Sequence, residues 1–160
     1  MIDNIIRRTL GFLRSLAGDS GPKARVAAVH AQPQLKPRVL CVDDNPTILK
    51  VLERQLGDPY QVSTAGGSEQ ALEAIERDGP FDVIISDLQM PGAHGLTFLT
   101  RARTLAPDTE RIILTGFPDP TTMAVARSAG GAAKLLTKPC STQDLRAAVD
   151  EAVARRRSRR

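Results

Sequence analysis

The sequence is short of the groups that build large or specialised sites. Among its 160 residues there is no tryptophan, one tyrosine and four phenylalanines. With aromatics at 3%, any core has to be assembled from Val, Ile, Leu and Ala. There are two cysteines, Cys41 and Cys140, with neither a CxxC nor metal-ligand spacing. That argues against a cysteine metal site and for free thiols in a reducing compartment. The two histidines, His30 and His94, have no ligating partner in the sequence and read as solvated surface residues. No apolar run approaches the roughly 18 residues that a membrane-spanning helix needs. The first residues do not read as a secretory signal either, because Arg7, Arg8 and Arg14 interrupt their apolar positions. The expected location is the cytoplasm.

What is present is unevenly charged. The net charge of +4 hides a division. Between Pro37 and Ala154 there are 11 Lys/Arg and 16 Asp/Glu, a net of −5, while the flanks hold 11 Lys/Arg and 2 Asp/Glu, a net of +9. The high isoelectric point therefore belongs to the ends, and it does not make the chain a nucleic-acid binder.

Four segments follow. Residues 1–17 carry Ile2, Ile5, Ile6, Leu10, Leu13 and Leu16 at helical spacing, with the arginines on the other face: an amphipathic basic helix. Its role stays open between contact with a partner or a second copy, an anionic membrane surface, and a leader without fixed structure. Residues 18–36, with Gly18, Gly21, Pro22 and Pro33, read as a flexible linker. Residues 37–154 alternate strand and helix patterns. Residues 155–160 form a basic tail, read as a solvated helix end that suits the negative pole of the helix dipole better than as a contact to nucleic acid. DNA binding is not expected.

Within 37–154 the strands are expected at Arg38–Val42, Tyr60–Thr64, Asp82–Ser86, Arg111–Thr115 and Ala133–Thr137. Helices are expected from Pro46 (capped by Asn45) to Leu56, from a Ser68 cap to Arg77, over Gly95–Leu105 and Thr121–Ala129, and from Ser141 to Ala154. Such alternation implies an α/β fold with a parallel sheet covered on both faces.

The chemistry gathers where strands end. The first strand runs into Asp43 and Asp44, the third into Asp87, the fourth into Thr115-Gly116 and the fifth into Lys138-Pro139. In open parallel sheets, sites form beyond the carboxyl ends of the strands. Each of these residues alone has an ordinary turn or capping explanation; together they place three acids, a hydroxyl and an amine on one edge. Carboxylates so close repel one another unless a hard cation shares their charge, and magnesium takes such oxygen ligands. A divalent ion, an amine and a hydroxyl also suit a transferring phosphoryl group, with Asp87 as nucleophile.

Val42-Asp43-Asp44, Asp87-Leu88-Gln89-Met90-Pro91-Gly92, Leu114-Thr115-Gly116 and Thr137-Lys138-Pro139 resemble, in order and spacing, the motifs of response-regulator receiver domains of the single-domain, chemotaxis type. The resemblance covers about residues 37–154. It implies a flavodoxin-like (βα)5 fold with strand order 2-1-3-4-5. It implies that Asp87 accepts a phosphoryl group, with Mg2+, from a histidine kinase or phosphotransfer protein. Asp44, Asp87 and the Gln89 main-chain carbonyl would ligate the metal directly and Asp43 through water. Thr115 and Lys138 would contact the phosphoryl group, Lys138 would also pair with Asp87, and the Lys138–Pro139 bond would be cis. Gln89 and Phe117, flanking the site, would tune loss of the phosphoryl group. One position departs from the pattern: three residues before the lysine the family has Tyr or Phe, and here stands Leu135. That puts the usual aromatic read-out in doubt but not the chemistry.

The chain is accordingly expected to signal through an output protein that the sequence does not name, and not to be an enzyme. Two alternatives remain: a phosphorylation-independent adaptor of the same fold, and a phosphohydrolase with an aspartyl-phosphate intermediate. Dehalogenase-type phosphohydrolases place an acid two residues after the nucleophile, where this chain has Gln89, which cannot act as acid or base.

Overall fold

Strands of this chain are short because their β-branched and other apolar runs are cut off by charged or turn residues. The computed structural model describes residues 35–90 and 95–159. It shows strands β1 (Arg38–Val42), β2 (Gln61–Ala65), β3 (Val83–Ser86), β4 (Glu110–Thr115) and β5 (Lys134–Thr137). The helices between and after them are α1 (Pro46–Leu56), α2 (Ser68–Asp78), α3 (Gly95–Leu105), α4 (Pro120–Ser128) and α5 (Thr142–Ser158). The sheet is parallel in the order β2-β1-β3-β4-β5, as the resemblance implies. Residues Lys36–Arg160 hold together as one unit.

The central strands β3 and β4 are buried on both faces along their whole length, which is why residues 83–85 and 112–114 read as continuous apolar runs rather than alternating ones. Ile84, Phe98, Leu99, Ala102 and Ile113 centre one apolar layer, under α2, α3 and α4. Val39, Ile85, Ile112, Leu145 and Val149 centre the other, under α1 and α5. At the edge, β2 is only partly covered, which explains its weaker signal in the sequence.

Helix starts follow capping chemistry. Asn45 accepts a hydrogen bond from the Thr47 N–H, Asp119 from Thr122 and Ser141 from Asp144, with Pro46 and Pro120 at the first helical turn. The expected Ser68 cap is corrected: Gly67 is the capping residue, without a side-chain bond, and Ser68 is already helical. Gly57 ends α1 at φ 55°, a conformation that favours glycine.

A second correction concerns the basic tail. The last helix does not stop at Ala154 but continues to Ser158. Arg156 is buried and paired with Asp82, while Arg155 and Arg159 both reach the buried Glu110. These pairs at the amino edge of the sheet keep the helix going, so residues 155–158 belong to α5. The expected amphipathic helix 1–17, most of the linker 18–36, and His30, Pro91, Gly92 and His94 lie outside the described residues.

Candidate functional site

Every strand that carries a predicted site residue delivers it at the carboxyl end of the sheet. Because β1 and β3 are hydrogen-bonded neighbours, with Val42 beside Ser86, Asp43 and Asp87 emerge side by side. Both are still tied to the sheet through their main chains: Asp43 N–H donates to the Ala65 carbonyl and Asp87 N–H to the Val42 carbonyl. Lys138 comes from two strands away, and its N–H donates to the Thr115 carbonyl at 2.9 Å. The Lys138–Pro139 peptide is cis, as the resemblance implies.

The three side chains meet. The Lys138 Nζ donates to Asp43 Oδ2 at 2.6 Å and to Asp87 Oδ2 at 2.8 Å. The second oxygen of each carboxylate is held by a main-chain donor close in sequence. Asn45 N–H reaches Asp43 Oδ1 at 2.9 Å, and Gln89 N–H reaches Asp87 Oδ1 at 3.0 Å. Asp43 is 2% exposed and Asp87 9%, so both charges sit where water offsets them poorly. Burial alone would lower the Lys138 pKa, but the hydrogen bonds and charges of Asp43 and Asp87 outweigh it and hold the ammonium above its ordinary value.

The other predicted residues are placed as follows. Asp44 is exposed. Among the described residues no set of three His, Cys, Asp or Glu side chains is gathered closely enough to hold a metal ion. An ammonium, rather than a third acid, closes the Asp43–Asp87 pair. Thr115 is buried, and its Oγ1 accepts from the Phe117 N–H at 3.3 Å, which leaves its hydroxyl proton free to donate. A Cβ on Gly116 would meet nothing within 4 Å, so there is open space beside the threonine. Gln89 is exposed, and Phe117 stands out at 72% exposure. Met90 is a core residue. Leu135 is half-buried against the apolar layer under α2, α3 and α4.

As a test of metal fit, the donors present are carboxylate and main-chain oxygens, which a hard cation takes. Two of the carboxylates already share one positive charge, so they face a common cation-sized position.

Sequence reasoning missed Ser86. It is fully buried at the end of β3, and its hydroxyl donates to the Asp87 main-chain carbonyl at 2.8 Å. The signal was there: one polar residue in the otherwise apolar strand Val83–Ser86, directly before the acid.

Comparison with known proteins agrees with this geometry. The family profile described as "Response regulator receiver domain" matches residues 39–150. The virulence sensor protein BvgS of Bordetella pertussis is 39% identical over 140 residues, 84% of this chain. The chain spans only 11% of that protein's length. The transcriptional regulatory protein AruR of Pseudomonas aeruginosa is 35% identical over 114 residues, 68% of this chain and 46% of AruR. Among solved structures, the signal receiver domain of an HD domain-containing protein from Pseudomonas fluorescens Pf-5 superposes with a TM-score of 0.74. It is 34% identical, and the match covers 78% of this chain and 99% of that one.

Proposed function

Because the chain belongs to the response-regulator receiver family, the signalling module of two-component systems, we propose that Asp87 is its phosphoryl acceptor. The observation that carries this reading is the Lys138 ammonium shared between Asp43 and Asp87 at the carboxyl edge of the sheet. In the proposed step one Asp87 oxygen forms a bond to phosphorus. The phosphorus–nitrogen bond to the donor's histidine breaks, and the imidazole leaves with the electron pair. Lys138 offsets charge on the phosphoryl oxygens, and the Thr115 hydroxyl donates to one of them. The open space at Gly116 leaves them room.

When bound, Mg2+ supplies further charge compensation to the phosphoryl oxygens. Asp87, the Gln89 main-chain carbonyl and Asp44, turned in from its exposed position, would hold it, with Asp43 acting through water. The donor is proposed to be a histidine kinase or a phosphotransfer protein in the cytoplasm. The phosphorylated receiver is proposed to signal through an output protein rather than to turn over a substrate. Among the described residues no helix is long and apolar enough to cross a membrane. Residues 37–154 are proposed as the receiver proper, extended by the last turn of α5. Residues 1–17 are proposed as a contact to a partner or a second copy, joined by the linker 18–36.

The test is incubation of the full chain with acetyl phosphate and Mg2+, followed by intact mass. A gain of about 80 Da, one phosphoryl group, is expected for the wild type and not for Asp87→Ala. No gain in the wild type would leave the phosphorylation-independent adaptor as the better reading.

A further inference from the structure

A hydroxyl in an apolar layer is costly unless it is hydrogen-bonded, and a small apolar residue in its place carries no such cost. Ser86 is such a hydroxyl. It completes the strand Val83–Ser86 and is fully buried. Its partner is the main-chain carbonyl of Asp87, at 2.8 Å.

That carbonyl lies where the chain leaves the sheet. The Asp87 N–H is still bonded to the carbonyl of Val42. Two residues on, the Gln89 N–H has already turned back to the Asp87 carboxylate. The first residue of α3 presses on the same spot: a Cβ on Gly95 would lie 2.7 Å from the Asp87 carbonyl oxygen and 2.6 Å from Leu88 Cα. The Gly95 N–H in turn donates to the Leu88 carbonyl. So the Asp87 peptide is held on one side by the Ser86 hydroxyl and crowded on another by a glycine at the helix start.

We propose that the Ser86 hydroxyl is a positioning group for phosphoryl acceptance, holding the Asp87 main chain so that its carboxylate faces the incoming phosphorus. The inference rests on the acceptor reading above and adds a residue to it. Four hydrogen bonds orient Asp87: its own N–H to the Val42 carbonyl, Gln89 N–H to Oδ1, Lys138 Nζ to Oδ2, and Ser86 Oγ to the main-chain carbonyl. During the transfer one carboxylate oxygen bonds to phosphorus, and the Gln89 and Lys138 contacts have to readjust. The two main-chain contacts avoid the reacting carboxylate and persist throughout, and of these the Ser86 bond is the one made by a side chain.

The experiment is single-turnover acceptance from acetyl phosphate with saturating Mg2+. In that reaction an Asp87 oxygen bonds to phosphorus as the phosphorus–oxygen bond to acetate breaks, and acetate leaves with the electron pair. Wild type, Ser86→Ala, Ser86→Thr and Ser86→Val are compared well below their melting temperatures. Thr and Val share a shape and differ in the hydroxyl. Loss of a near-attack geometry lowers the rate at saturation rather than donor binding. The Ala and Val variants are expected to be roughly tenfold slower at saturating acetyl phosphate, with an unchanged concentration for half-maximal rate. The Thr variant should recover most of the rate. Equal rates for Thr and Val, or a wild-type rate for Ala, overturn the positioning role while leaving Asp87 as acceptor. Should both branched variants fail to fold, Ser86→Ala against wild type decides alone. No mass gain in the wild type overturns the acceptor reading itself, and the positioning role with it.

Discussion

Replacing Lys138 with Met removes a charge and keeps the length of the side chain, so it isolates what the ammonium does. Lys138 contacts Asp43 Oδ2 at 2.6 Å and Asp87 Oδ2 at 2.8 Å. At an effective dielectric constant of about 20, each attraction is roughly 6 kcal/mol before desolvation, which offsets most of it. Deleting one partner of a buried pair costs about 3–5 kcal/mol, because the remaining charge stays buried. Here two carboxylates remain, 3% and 11% exposed, but the lysine side chain itself is 21% exposed. Water entering beside it reduces the cost to about 2–3 kcal/mol, equivalent to a fall in melting temperature of roughly 10 °C for a domain of this size. Thermal unfolding followed by far-ultraviolet circular dichroism measures it, since the chain lacks tryptophan. Part of the loss should return on adding Asp43→Asn, which removes one of the two facing charges. A Lys138→Met protein within 0.5 kcal/mol of wild type, or a double variant less stable than the single one, refutes the argument that the ammonium holds two buried acids together.

Three further outcomes are expected. Arg156→Ala removes a buried guanidinium from Asp82 at the amino edge and should cost about 2–3 kcal/mol in urea denaturation. Acceptance of a phosphoryl group from acetyl phosphate, at the opposite edge, should be unchanged. Alkaline pH should destabilise the fold. Burial, assisted by the charge of Glu53, pushes the Cys41 thiol up to about 12 from 9.0, so the native state keeps a proton that the unfolded chain loses. The thiol's contribution is therefore complete below about pH 9 and lost between pH 9 and 12, about 1 kcal/mol of it by pH 10. Tyr60, raised by burial and its bond to Asp150, and Lys138 follow with the same sign from higher pH. A denaturation midpoint that stays level from pH 9 to 10.5, or falls equally in Cys41→Val, would remove the thiol from this account. Leu135→Tyr should leave acetyl phosphate acceptance intact but change the affinity of an output partner between the two phosphorylation states. Equal affinities in both proteins would show that position 135 takes no part in the read-out.

Much of the fold was legible in the sequence because its strands are separated by strong stops. Val83–Ser86 lies between Asp82 and Asp87, and Gly79-Pro80 and Gly130-Gly131 punctuate the chain. Shifts of one residue at β2, β3, β4 and β5 arise because ladder pairing, not composition, fixes a strand's end. The site residues were legible for a related reason: in a parallel sheet, chain order at strand ends becomes position along one edge. What the sequence could not show were contacts between distant residues. Nothing in Arg155-Arg156-Arg157 distinguishes a solvated tail from a turn of helix until Asp82 and Glu110 are known to lie beneath it. Likewise, the resemblance implied that Lys138 pairs with Asp87, but three acids on one edge did not reveal that it would also close on Asp43 and leave Asp44 exposed.

The two ends of the sheet treat their charges differently, and the difference bears on function. At the amino edge, Asp82 and Glu110 are answered by Arg155, Arg156 and Arg159, so the acids there have more cations than they need. Such pairing ties α5 to the sheet. At the carboxyl edge there are three acids, Asp43, Asp44 and Asp87. Among the described residues Lys138 is the cation in ion pairs with them. A fold selected for stability alone has no reason to leave one edge short of positive charge while oversupplying the other. Two buried carboxylates sharing a single ammonium form an arrangement that further positive charge would stabilise, and a third acid stands exposed next to them. That deficit of two charges equals the charge of a divalent cation, so the phosphoryl acceptance proposed for this edge is expected to need such an ion.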